Sequence, residues 1–360
     1  MVLLLEVIRL ARTPRNVIAS HELATDSELR FLTMRKKVVV LGASEPVGLS
    51  LVEQLSKNEP EWEVNAVIPE GETLEQLEKD NVVVLNADIQ DFEALQAVVD
   101  EMDVVYSCYE LPQNTRKYWV EHWPPLIDNL LAVTSEERPL VFCDNLYAYG
   151  PGTQICTTTL PLKGSELSKP ELRALMREKF KERMYESPKS IVVVGGSDLF
   201  GPGMGSKSFL GELFIERMVK GKKPLAIGSC ENMHDFCYVP DLAHAAHLVS
   251  GQEDAYGRFW VCPHSVRGES MEDIAEEVNN HLDEEVEGVR VIAPWMLKSM
   301  SLFTTSSAEL KEMLPWWIHD YTVDDREFTE LFGVQATPFE LAIKQTVQSY
   351  TSNAETYTFE

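Results

Sequence analysis

A chain of 360 residues can bury a full core, or one core with a smaller lobe beside it. Its formal net charge of -26 excludes the clustered Lys and Arg surface that nucleic acid or an anionic membrane requires. No apolar run approaches the roughly 20 residues that span a bilayer.

Residues 1–33 precede the first fold signal, and Met34 would itself serve as a start. An apolar stripe with Arg9, Arg12 and Arg15 has the look of an organelle-targeting peptide, against which Glu6, Glu22, Asp26 and Glu28 count. The expectation is a disordered or loosely docked extension on a cytoplasmic protein. Cys108, Cys143, Cys156, Cys230, Cys237 and Cys262 form no C-x-x-C pair, so a reduced compartment with buried thiols at Cys108 and Cys143 is the default.

The stretch RKKVVVLGASEPVGLS, residues 35–50, is the most informative. An apolar β-branched run leads into a glycine turn at Gly42, and a helix opens near Pro46 with Gly48 in its first turn. This is the pattern of a first strand, a phosphate-binding turn and a first helix in a dinucleotide-binding fold. Gly42, Ser44, Glu45, Val47 and Gly48 are therefore candidates for cofactor contact. Gly42 supplies the tight turn and Gly48 the close helix–strand approach. Glu45 occupies the place of the middle glycine of G-x-x-G-x-x-G. Two unit charges about 4 Å apart repel by roughly 4 kcal/mol at an effective dielectric near 20, which weakens affinity by up to about a thousandfold. Its carboxylate either stands in for the missing phosphate or swings into solvent.

Further apolar runs follow at 64–68, 81–85, 103–108, 139–143 and 190–195, with amphipathic stretches at 49–57, 91–101 and 170–185. Strands alternating with helices, each strand continuously apolar, predict a parallel sheet covered on both faces. The fold class is α/β, a doubly wound Rossmann-type sheet with a smaller C-terminal substrate lobe. Pro124 and Pro125 interrupt the helical segment 115–132 and predict a helix start or kink there. Glu70, ending the second strand, is placed to hold ribose hydroxyls, with a solvated loop acid as the rival reading. PEGET, 69–73, contains no Lys or Arg to meet a 2′-phosphate, so NAD is favoured over NADP. Asp88 and Ile89 are placed to border the adenine, and capping of the next helix is the rival for Asp88.

After Phe200 the rhythm changes. Helices are expected at 206–219, 239–250, 270–282 and 337–350, and brief strands at 224–227 and 257–261. The expected organisation is an extension over 1–33, a dinucleotide-binding domain over 34–200, a mainly C-terminal substrate lobe over 201–350 and a tail over 351–360.

GASEPVG (42–48), ADIQD (87–91), VFCDNLYAYGP (141–151), SDLFGPG (197–203), CYVPDLAHAA (237–246) and FGVQATPFELAIKQTV (332–347) stand in a familiar order. Together they resemble the extended short-chain dehydrogenase/reductase superfamily in its NAD-dependent epimerase/dehydratase branch, from about Lys36 to Tyr350. DNLYAYGP looks like an atypical subgroup. The resemblance implies NAD or NADP as cofactor, hydride transfer at a carbinol carbon of a small organic or sugar-derived substrate, and a helix-pair homodimer. It also implies a hydroxyl residue at the end of the fifth strand, and a Tyr-x-x-x-Lys whose cation lowers the pKa of the tyrosine.

Here the pattern departs. Asn145 stands at the hydroxyl position, and Ser165 stands four residues before the best lysine, Lys169. Lys163 and Lys179 have no tyrosine partner either. Tyr147 or Tyr149, just past the fifth strand, is the substitute proton donor, helped by Lys169 or Asp144. Asn145 is placed to hydrogen-bond a substrate carbonyl. Asn145, Tyr147 and Lys169 are therefore the catalytic candidates, with Lys169 also facing the cofactor. The competing class is a catalytically silent binding or regulatory protein, suggested by Glu45 and Ser165.

His244, His247 and Asp241 share a helix face, but no third or fourth ligand has informative spacing, and no metal site is expected. His234, Asp235, Tyr238 and Asp241 are weighed as pocket neighbours against core packing and capping. Trp295, Trp316 and Trp317 are expected to cover the core or a subunit contact. The acidic stretch 271–288 and the cationic stretch 164–183 are expected as solvated helix surfaces, with Lys169 and Arg173 as rival contacts for a phosphate.

Overall fold

Near-continuous Val, Leu and Ile runs place five of the first six strands inside the molecule, while the third, at the edge of the sheet, leaves Val83 and Val84 exposed. The computed structural model describes residues 35–152, 167–300 and 305–351. In chain order these are β1 (Lys37–Leu41), α1 (Pro46–Asn58), β2 (Glu63–Ile68), β3 (Val82–Asn86), α2 (Phe92–Val99), β4 (Val104–Ser107), α3 (Arg116–Val133), β5 (Leu140–Asn145), α4 (Lys169–Glu186), β6 (Ile191–Gly196) and β7 (Asp198–Phe200). A π turn, Gly211–Ile215, runs into α5 (Glu216–Val219). Then come β8 (Leu225–Ile227), β9 (Phe236–Tyr238), α6 (Val239–Ser250), β10 (Phe259–Val261), α7 (Met271–Asn279), β11 (Arg290–Ile292), α8 (Pro294–Met300), α9 (Thr305–Trp317), α10 (Arg326–Phe332) and α11 (Phe339–Thr351). The described residues from Lys36 onward form one compact unit.

The main sheet has seven strands in the order β10-β6-β5-β4-β1-β2-β3, all parallel. This is the doubly wound architecture expected from the sequence. The strand period of two divides β1 cleanly. Val38 and Val40 face a core with Leu51, Val52 and Leu55 of α1 and Leu242, Ala246 and Val249 of α6. Val39 and Leu41 face the opposite core, with Ile127 and Leu130 of α3 and Leu172, Met176 and Phe180 of α4. A third cluster gathers later segments, including Phe200, Phe214, Ile274, Leu314, Trp316, Trp317, Tyr321 and Ile343.

Four features differ from the sequence expectations. The strand signal at 257–261 is β10, which pairs with β6 and completes the main sheet. Two small parallel pairs, β7 with β9 and β8 with β11, lie outside the main sheet; β8 falls on the strand expected at 224–227, whereas β7, β9 and β11 went unread because three residues carry no period. Helices α8, α9 and α10 were likewise not anticipated. Finally, Pro124 and Pro125 neither start nor end a helix, and α3 runs from Arg116 to Val133 across both. The prolines leave the carbonyls of Val120 and Glu121 without helical donors, and both residues are exposed, so water can satisfy them. Trp123, Leu126, Ile127 and Leu130 hold the opposite face in the core.

Candidate functional site

The strand order reverses between β1 and β4, and ligands in such sheets bind outside the carboxyl ends at that point. A cavity of about 440 Å³ lies there. Gly42, Ser44 and Glu45 form one wall, Ile68, Pro69 and Glu70 another, and Ala87 to Gln90 with Tyr109 and Glu110 the rest. The sequence candidates Gly42, Ser44, Glu45, Glu70, Asp88 and Ile89 thus meet in one crevice.

Gly42 has φ +77, and a Cβ there would sit 2.6 Å from the Cα of Tyr109. A Cβ on Gly48 would lie 2.0 Å from the carbonyl oxygen of Gly42. The two glycines therefore lock the turn, the opening of α1 and the segment after β4 together. Val47 lies outside the cavity wall and packs its side chain in the core. Ile89 lines the cavity and is buried at its base. Asp88 accepts the Gln90 amide at 3.0 Å, while the cap of α2 is Asp91, which accepts from Ala94 at 2.9 Å. The capping rival for Asp88 thus falls to its neighbour.

Gln90 was not singled out from the sequence, although it lies within ADIQD. Its Nε2 donates to the Tyr109 hydroxyl at 3.3 Å, and its Oε1 is buried without a hydrogen-bond partner. A buried acceptor on a cavity wall is costly unless a ligand or water donates to it. The wall is otherwise acidic, with Glu45, Glu70, Glu72, Asp88 and Glu110 on it. Glu45 is the N-cap residue of α1, yet its carboxylate makes no cap hydrogen bond. It pairs instead with Lys207, whose Nζ also lies 3.4 Å from Glu110. Burial, then Glu110, pushes the Glu45 carboxyl up, and Lys207 pulls the other way.

At the end of β5, Asp144 accepts the Asn145 amide at 2.8 Å and the Arg173 guanidinium at 2.9 Å. Burial raises its carboxyl against the pull of Arg173. Asn145 Oδ1 accepts the Tyr147 amide at 3.2 Å. The Tyr147 hydroxyl donates to Asp198, whose other oxygen lies 2.6 Å from His234 Nε2. Burial, then Asp198, pushes the phenol well above its ordinary pKa. Lys169 opens α4 within a capping box of Ser168 and Glu171, and its Nζ donates to Asn114 at 3.3 Å. Tyr147 is therefore tied to Asp198, where the sequence suggested Lys169 or Asp144. Ser165, Lys163 and Cys156 lie outside the described residues.

The remaining candidates have local partners. Tyr238 donates to Gln345 at 2.8 Å, and Asp241 accepts from Ser265 and Thr337. His247 Nε2 lies 3.1 Å from Glu59. Asp235 accepts the amides of Gly268 and Val323. Trp316 and Trp317 are buried, whereas Trp295 is exposed. Arg173 is no solvated surface cation, being buried against Trp119 and Trp123. Among the described residues, no group of three His, Cys, Asp or Glu side chains could hold a metal ion, and no helix is long and apolar enough to cross a membrane.

The sequence profile of the NAD dependent epimerase/dehydratase family matches residues 38–262. The chain belongs to that family. Among curated proteins nothing matches the sequence. Among solved structures, this family member is similar to dTDP-glucose 4,6-dehydratase from Bacillus anthracis str. Ames, in complex with NAD, at 15% identity and TM-score 0.69, over 89% of this chain and 98% of that one. It is also similar to UDP-glucose 4-epimerase from Thermotoga maritima, with UDP-glucose, at 16% identity and TM-score 0.64, over 88% and 98%. UDP-glucuronic acid 4-epimerase from Bacillus cereus, in complex with NAD, matches at 14% identity and TM-score 0.64, over 88% and 98%. At these identities the likeness carries the fold of the epimerase/dehydratase family and nothing finer.

Proposed function

We propose that this protein binds NAD in the crevice between β1 and β4 and supports hydride exchange at a carbinol carbon of a small sugar-derived substrate such as a nucleotide sugar. The observation that carries the reading is the cavity itself, with the Gly42 turn at one end, the Glu70 carboxylate beside it and the partnerless Gln90 Oε1 on its wall. These groups fit the adenosine half of the cofactor. Glu70 would accept from the ribose hydroxyls, Ile89 would support the base, and Gln90 would accept from its amine. Family membership and the NAD bound by two of the similar structures support the same cofactor. The chemistry NAD supplies when bound is hydride transfer, while the protein positions and polarises.

The remaining steps fall to side chains of this chain. The Asn145 Nδ2 makes no hydrogen bond among the described residues and can donate to a substrate oxygen. A substrate hydroxyl that loses hydride must also lose a proton. In the proposed relay Tyr147 takes that proton at its hydroxyl oxygen as it passes its own to Asp198, and His234 bonds the second oxygen of that carboxylate. A second reading rests on the same bond. A phenol proton committed to a buried carboxylate, with no relay, would make this a binding protein of the same cavity.

Titration of NADH and NADPH, followed by fluorescence, is expected to show NADH bound and NADPH at least tenfold weaker, because Glu70 and Glu72 oppose a 2′-phosphate. Binding of neither would remove the cofactor reading. With UDP- and dTDP-sugars, Tyr147→Phe should lower turnover at 340 nm by about a hundredfold or more while NADH affinity holds. Turnover that survives the substitution eliminates the relay. NADH binding with no turnover of any sugar nucleotide supports the second reading.

A further inference from the structure

Every charged group on the cavity wall is a carboxylate, and no Lys or Arg lines it among the described residues. The opening of α1 gives less help than usual, since Pro46 stands at its first position and has no N–H to offer an anion. A diphosphate placed at this turn therefore needs a cation from elsewhere in the chain. One reaches it. Lys207 lies in the turn Gly205–Lys207 after β7, far from the glycine turn in sequence, and its ammonium pairs with Glu45 and Glu110 at the mouth of the cavity. The loop that carries it passes over the start of α1, where a Cβ on Gly203 would lie 4.0 Å from Pro46.

We propose that Lys207 is the diphosphate-binding residue of this protein, and that Glu45 competes with the cofactor for it. The inference rests on the NAD reading above and deepens it. Three observations converge. The Glu45 carboxylate makes no cap bond to α1, so it is spent on Lys207 and leaves the helix amides to a ligand. Lys207 is 43% exposed on a long, flexible stem, so it can turn from carboxylate to phosphate without disturbing the core. Glu110, also half-exposed, holds the ammonium over the turn while that exchange occurs. The glutamate that replaces the middle glycine is thereby neutralised by a residue 162 positions away in the chain. Cofactor affinity is set by how well two phosphates outbid one carboxylate for the same lysine.

The test compares adenosine, ADP-ribose and NADH on the full chain by calorimetry. Lys207→Met should weaken ADP-ribose and NADH by tenfold or more and leave adenosine unchanged. Glu45→Gln, which keeps the shape and removes the competing charge, should strengthen ADP-ribose and NADH by about tenfold, again without effect on adenosine. If Lys207→Met binds ADP-ribose as the unaltered protein does, or loses adenosine in equal measure, the role given to Lys207 is wrong while the NAD reading stands. If the unaltered protein binds neither adenosine nor NADH, the NAD reading falls and this proposal with it.

Discussion

Arg173→Met should destabilise the protein by about 3–5 kcal/mol at neutral pH, because it strands a buried carboxylate. Arg173 and Asp144 are paired at 2.9 Å with side chains 8% and 7% exposed, and the guanidinium is stacked on Trp119 and Trp123. Without it, the Asn145 amide is the one hydrogen-bond donor left to Asp144 among the described residues. Burial already raises the Asp144 carboxyl, and Arg173 is the largest force holding it down, so the variant carries it higher still. A carboxyl whose pKa is higher folded than unfolded favours the folded state at low pH. It loses that advantage as pH rises from the ordinary value of about 3.9 towards the folded one. The deficit should accordingly be smallest near ~pH 4 and grow towards neutrality, as urea unfolding at two pH values would reveal. Adding Asp144→Asn should recover a large part of the loss, because the stranded charge is then gone. A deficit under about 1 kcal/mol, flat with pH, would mean that the pair contributes little.

Gly48→Ala should be as damaging and for a steric reason. The added methyl would meet backbone on every side, 2.0 Å from the Gly42 oxygen, 2.8 Å from its carbon and 3.0 Å from the Ala43 Cα. None of these can rotate away, so β1 and α1 must separate, at a cost of about 3 kcal/mol or more. NADH binding should vanish with the same change, since the turn is the cavity's wall. Gly71→Ala is the matched control. Its φ is +79 but no atom lies within 4 Å, so it should cost about 1 kcal/mol and leave binding intact. Equal thermal shifts for the two variants would mean that close approach at Gly48 is unimportant.

How much of this was legible follows from which contacts are local. β1 to β6 could be read because each is written as an unbroken apolar run, even β3 at the exposed edge of the sheet, and the crevice residues follow directly from where those strands end. Asp91 rather than Asp88 as the cap of α2 is a matter of three residues, because a sequence fixes where a helix begins less sharply than that it exists. By contrast, Lys207 gains its meaning from a partner 162 residues away, and the Tyr147–Asp198 bond from one 51 away. Neither separation leaves any trace in spacing. The prolines of α3 misled because propensity is local, whereas Trp123, Ile127 and Leu130 anchor that helix by tertiary burial. The three-residue strands β7, β9 and β11 were invisible for want of length, although β8 and β10, equally short, fall on the brief signals at 224–227 and 257–261.

The position of β10 bears on the order in which the molecule can assemble. During synthesis β6 emerges with its outer rim bare, and the apolar side of α1 waits for α6, whose Pro240 carbonyl accepts from Gln54 at 2.9 Å. Until residue 261 has left the ribosome, the nascent sheet carries an open hydrogen-bonding rim and an uncovered greasy helix at once, the pair of features that invites self-association. The halves of this protein must therefore wait for one another, and nascent chains halted near residue 200 are the ones most in need of a chaperone.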